Sequence, residues 1–121
     1  MNGIGELAAV VIDCADPAPM ATFYQTLRGG EIVRNEGDSA WLKINGRTLV
    51  FRRLEDYRPP TWPANELPMH VHWDYLVDDL DAAQRQLVDI GGTVASTQVG
   101  LVVMLDPAGH PFCIAARGGA L

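Results

Sequence analysis

A chain of 121 residues, 48% apolar and 20% charged, has the composition of one globular domain that can build a core without a disulfide or a structural metal. Nine basic residues are scattered among fifteen acidic ones, for a formal charge of −6, which argues against a nucleic-acid groove and against adhesion to an anionic membrane. No apolar run approaches the roughly 20 residues of a membrane span, and the start "MNGIGELAAVVIDCADP" lacks the basic region of a signal peptide, so a cytoplasmic protein is expected, with Cys14 and Cys113 as reduced core thiols.

The first predicted element is a strand, "LAAVVIDC" (7–14), whose continuous apolar run suits a buried position. Asp16 then offers an N-cap and Pro17 suits the first helical position. Met20, Phe23 and Leu27 fall at helical spacing until Gly29-Gly30 end the helix. Three short strands follow, at 31–34, 40–44 and 48–53, with "NEGDS" and Asn45-Gly46 as turns. The segment 55–68 holds four of the eight prolines and reads as a stiff, irregular connector.

A second series begins with the strand "MHVHWDYLV" (69–77). Asp78 or Asp79 caps the next helix, and Leu80, Ala83, Leu87 and Ile90 form its apolar face before Gly91-Gly92 stop it. Strands are predicted at 93–98, 101–105 and 111–116, with "DPAGH" (106–110) as a tight turn ordered by His110. The two series form an internal repeat. At an offset of 62, Asp16 matches Asp78, Ala21 matches Ala83, the Gly pairs coincide, and Ile32 matches Val94. The order is strand, helix and three strands, twice, which is an α+β chain.

Alternation along the strands separates two faces. Met69, Val71, Trp73, Tyr75 and Val77 share an apolar face that should pack under the helix, leaving His70, His72, Asp74 and Leu76 on the other. The same reasoning places Trp41 and Lys43, Val50 and Arg52, and Cys113 and Ala115 away from the core. His70, His72, Asp74, Arg52, Trp41 and Cys113 are thus candidate lining for a small-molecule pocket, with Trp62 of the connector either closing one side or anchoring its loop. Arg52 is expected to pair with Asp74 or to bind an anionic ligand.

The doubled module resembles the vicinal oxygen chelate superfamily, which includes glyoxalase I, extradiol dioxygenases and bleomycin-binding proteins. The resemblance rests on "DPAPMATFYQTLRGG", on "HWDYLVDDLDAAQRQLVDIGG" and on the closing "DPAGHPFCI". "YRPPTWP" and "HPFC" look most like the glyoxalase-like branch common in actinobacteria. The resemblance implies two tandem βαβββ modules, each a curved mixed sheet with a helix on its outer face, forming a cup. It also implies one domain over 1–121, with module one at about 5–54, the connector at about 55–68 and module two at about 69–117. A small-molecule ligand and a homodimer, which would cover exposed strand edges, are implied as well.

Metal-bearing relatives take two ligands from each module, on its first and last strands. Carried over, these fall on His72, on Ala9 or Val10, on Val50 or Arg52, and on Cys113. One donor, or two with Cys113, is too few for that site, so no metal and no cofactor is expected. His70, His72 and Asp74 do not replace it, because strand rise sets His70 and Asp74 about 13 Å apart. The functional expectation is a binding protein that sequesters a metabolite or drug. The alternative is a lyase or isomerase, metal-free or with an atypical metal, in which His72 is the best candidate for general base, with Asp74 beside it.

Overall fold

The computed structural model describes residues 3–61 and 71–118. Trp62 and His70 lie outside them. The chain divides after Tyr57 into two compact units. The first runs β1 (Ala9–Cys14), α1 (Pro17–Arg28), β2 (Glu31–Glu36), β3 (Ser39–Ile44) and β4 (Arg47–Arg53). The second runs β5 (Trp73–Val77), α2 (Leu80–Asp89), β6 (Thr93–Gln98), β7 (Leu101–Leu105) and β8 (Pro111–Ala116).

Each unit holds a four-stranded mixed sheet with one helix, in the orders β1-β4-β3-β2 and β5-β8-β7-β6. The first strand lies parallel to the last, and the remaining pairs are antiparallel. Both modules are therefore βαβββ units of an α+β fold, as the repeat implied. Both also carry a bulge at the same place, between Ile32 and Arg34 and between Val94 and Ser96, where one extra residue enters the outer strand.

The helix starts refine the alignment of the copies. Asp16 and Asp79 are the two N-cap residues, so the offset is 63 there and returns to 62 at the bulges. Asp79 accepts a hydrogen bond from the Ala82 amide at 3.0 Å. Asp16 occupies its cap position without a capping side-chain bond, and Pro17, which has no N–H, opens the helix instead.

The first core forms where α1 lays Met20, Ala21, Phe23 and Tyr24 over Ala40, Leu42, Leu49 and Phe51. Tyr24 stacks on Phe51 with centroids 5.5 Å apart. In the second unit, Leu87, Val102, Met104, Phe112 and Ile114 are buried, and Tyr75 meets Phe112 edge-on.

Three expectations shift. The first strand is not buried along its length: it starts at Ala9, and Val11 is 53% exposed while Ile12 and Cys14 are buried. A strand at the sheet edge buries one face, so its apolar run conceals an ordinary alternation. The fifth strand begins at Trp73, and Trp73 is half-buried. On α2 only Leu87 is buried, with Leu80 and Ala83 half-buried and Ile90 exposed.

The 106–110 turn behaves as expected. The buried Asp106 carboxylate accepts from the amides of Ala108 and His110, at 2.9 and 3.0 Å, and lies 3.2 Å from His110 Nδ1. Gly109 has φ +86, and a Cβ there would fall 2.8 Å from Pro59 Cβ, so this corner needs glycine twice over.

Candidate functional site

The parallel pairing of β5 with β8 sets Asp74 directly opposite Cys113. Trp73 pairs with Phe112 and Tyr75 with Ile114 on the helix-covered face, so Asp74 and Cys113 share the other. His72 precedes β5 by one residue, and its Nε2 lies 3.3 Å from Asp74 Oδ1. The donor atoms of His72, Asp74 and Cys113 all lie within 4.8 Å of one another. The structure thus gathers three of the proposed site residues, two from one strand and one from its neighbour.

Their environments differ. The side chains of His72 and Asp74 are 40% and 37% exposed, so the attraction between them is largely screened by water. Cys113 is only 8% exposed. Burial, then the charge of Asp74, then the hydrogen bond the thiol donates to that carboxylate push its pKa up from 9.0 to about 11. The thiol is therefore a neutral donor at ordinary pH, and Asp74 is the acceptor that holds it. Val103, opposite Cys113 on β7, and Ala115, next along β8 on the same face, are buried and apolar.

Trp41 and Arg52 lie on the corresponding face of the first sheet. Trp41 is half-buried, with the Arg34 guanidinium 5.1 Å from its ring centroid, a cation–π contact. Arg52 pairs with Asp13, its cross-strand neighbour, through Nη2 and Nε at 2.8 and 2.9 Å. The expected Asp74 partnership is thus replaced by one that the β1–β4 register dictates. Asp13 escaped the sequence reading. Its signal was its place near the end of a strand that the fold lays parallel to β4.

The repeat also gives the positions in the first module that match the second module's donors. The Val11–Val50 pair matches Asp74–Cys113, and Ala9 matches His72. Alanine and valine carry no donor atoms, so those positions cannot complete a four-ligand site drawn from both modules. The second module alone presents three donor types: an imidazole nitrogen, a carboxylate oxygen and a thiol sulfur.

This geometry has counterparts. A glyoxalase/bleomycin resistance protein/dioxygenase family enzyme from Burkholderia phytofirmans aligns with a TM-score of 0.70 at 18% identity, over 93% of this chain and 98% of that one. A glyoxalase-related enzyme from Fulvimarina pelagi gives 0.69 at 17%, over 93% and 88%. A possible glyoxalase from Bacillus cereus gives 0.68 at 13%, over 93% and 99%. At these identities the likeness is one of fold. No curated protein matches the chain. The glyoxalase-like domain, however, matches residues 9–115, from the first residue of β1 almost to the end of β8, and takes in His72, Asp74 and Cys113. By that match the chain belongs to the glyoxalase-like domain family, within the vicinal oxygen chelate superfamily.

Proposed function

We propose that the protein binds a small organic molecule against the His72–Asp74–Cys113 face, and acts by holding or sequestering a metabolite or drug. The observation that carries this reading is the convergence of a neutral thiol, a carboxylate and an imidazole at one place. A few convergent polar groups beside buried apolar residues are what a small-molecule site requires. Against the four-ligand arrangement of metal-bearing relatives the metal site is incomplete. The proposal extends to Trp41 and Arg52 as further ligand-contacting residues, and to His70 and Trp62. It takes the chain as one cytoplasmic domain that assembles as a homodimer.

A thermal-shift screen of metabolites and drug-like compounds on chelator-treated protein tests the reading. Compounds that raise the melting temperature should lose most of that effect in His72→Ala and Asp74→Asn. If the hits stabilise both variants as they do the wild type, the site lies elsewhere.

The 3.3 Å contact between His72 Nε2 and Asp74 favours one alternative, a lyase or isomerase. Asp74 would orient the ring and leave Nδ1 to take a proton from an acidic C–H of the substrate. Incubating the hits with protein and looking for conversion by mass spectrometry separates the two. Turnover that vanishes in His72→Ala makes the protein an enzyme, and unchanged hits leave it a binder.

A further inference from the structure

We propose that His72, Asp74 and Cys113 form a three-donor site for a thiophilic divalent cation of the zinc type, with a fourth position open to an exogenous ligand. Around a tetrahedral zinc ion, bonds of roughly 2.0 Å to nitrogen and oxygen and 2.3 Å to sulfur set donor atoms about 3.3–3.7 Å apart. His72 Nε2 and Asp74 Oδ1 already stand 3.3 Å apart, and no donor of the set is more than 4.8 Å from another. Side-chain rotation of about an ångström closes the set, with no movement of the strands.

The scaffold favours convergence. Asp74 and Cys113 are held side by side by the β5–β8 ladder, and His72 reaches in from the residue just before β5. The donors surround a point instead of lying along a line. Cys113 is nearly buried while His72 and Asp74 are exposed, so an ion would rest on sulfur and keep one side open to solvent. Three protein donors and an open fourth position are the pattern of a zinc site that takes a further ligand. The thiol also sets the selectivity. Sulfur favours Zn²⁺ and Cd²⁺, and discriminates against Mg²⁺ and Ca²⁺, which prefer oxygen. Coordination transfers the thiol proton to solvent as the sulfur–metal bond forms, with no change of oxidation state. The site uses one module only, so the apolar Ala9, Val11 and Val50 of the other do not count against it.

The inference uses the same side chains as the ligand-binding reading but does not depend on it, and the measurements are separable. Full-length, chelator-treated protein kept reduced with a phosphine is titrated with Cd²⁺ and followed by the ultraviolet thiolate-to-cadmium charge-transfer band. The expected result is a band that saturates at one ion per chain, is displaced by Zn²⁺ and is unaffected by Mg²⁺ or Ca²⁺. Cys113→Ser should abolish it. His72→Ala and Asp74→Asn, both at exposed positions, should each weaken Cd²⁺ binding by about tenfold or more, the scale on which a metal site loses affinity when a supporting group is removed. Cys14 is fully buried and present in every variant, so it serves as an internal control. The absence of a saturable band, its survival in Cys113→Ser, or wild-type titration by His72→Ala and Asp74→Asn would overturn the proposal. Circular dichroism of each variant separates loss of donor from loss of fold. Compound binding measured on the chelated protein reports on the ligand-binding reading alone.

Discussion

Cys113 illustrates how one neighbour decides the chemistry of a residue. Burial and the Asp74 carboxylate raise its pKa from 9.0 to about 11. Its thiolate fraction at neutral pH is therefore about a hundredfold below that of a free thiol, since each pKa unit is a factor of ten. In metal-free protein it should alkylate slowly with iodoacetamide, and Asp74→Asn should speed the reaction. The raised pKa has a stability consequence of definite sign. Below pH 9 both folded and unfolded chains keep the proton. Between pH 9 and 11 only the folded chain does, so its contribution to stability is present below pH 9 and is lost as pH rises through 11. Urea denaturation across that window should show the loss in wild type, and a shallower one in Cys113→Ser. The two faces of β5 should also answer differently to truncation. His72→Ala and Asp74→Ala remove exposed groups and should change stability by less than about 1 kcal/mol. Half-buried Trp73→Ala should cost about 1–2 kcal/mol, and Phe112→Ala, fully buried beneath it, about 3–5 kcal/mol. Alternation made these faces legible from sequence. The convergence was not legible, because it depends on which residue of β8 stands opposite Asp74, and distances reckoned along one strand pass over the neighbour.

At the level of elements, caps and turns carry the sharper tests. Asp79→Ala removes a formed N-cap bond and should cost about 1 kcal/mol. Asp16→Ala removes none and should cost less than half as much, although the two residues occupy equivalent positions. Gly109→Ala meets both a positive φ and a carbon at 2.8 Å, and should cost more than about 1 kcal/mol. Chemical denaturation of the three variants ranks them, and an Asp16 effect equal to that of Asp79 would contradict the cap assignment. Strand-helix-strand order was readable because Gly-Gly stops, Asn45-Gly46 and the proline-rich connector punctuate the chain. The bulges were not readable: Val33 and Ala95 differ in no obvious way from ladder residues, and only pairing to β3 and β7 shows them to be extra. The partial burial of α2 was also hidden, since periodicity tells which side is apolar and not how much of it is covered.

For the whole molecule, the repeat is a duplicated scaffold with unequal chemistry. One copy carries His72, Asp74 and Cys113, and the other carries Ala9, Val11 and Val50 at the matching places. The glyoxalase-like match runs unbroken through both copies, which supports treating them as one domain. On that proposal, near-ultraviolet circular dichroism and tryptophan fluorescence should report one coincident thermal transition, and two separated transitions would mean that the modules fold independently. The proposed homodimer should give twice the chain mass by light scattering at micromolar concentration, and a monomer mass would remove it.

The paired bulges bear on how the gene can change. Deleting one residue from a regular strand inverts every side chain beyond the cut and turns a core outward. Val33 and Ala95 are different, because each shares a single partner position with the residue that follows it. Losing either would restore an even ladder and leave Arg34 opposite Trp41, or Ser96 opposite Val103, with everything downstream still in phase. Single-codon deletions at 33 and 95 should therefore yield folded protein with a melting transition, while a deletion at Leu49, in the unbulged β4, should not. The same slack sits at the same point of both copies, so the ancestral half-length module already had it, and this is where insertions and deletions could accumulate without cost to the fold.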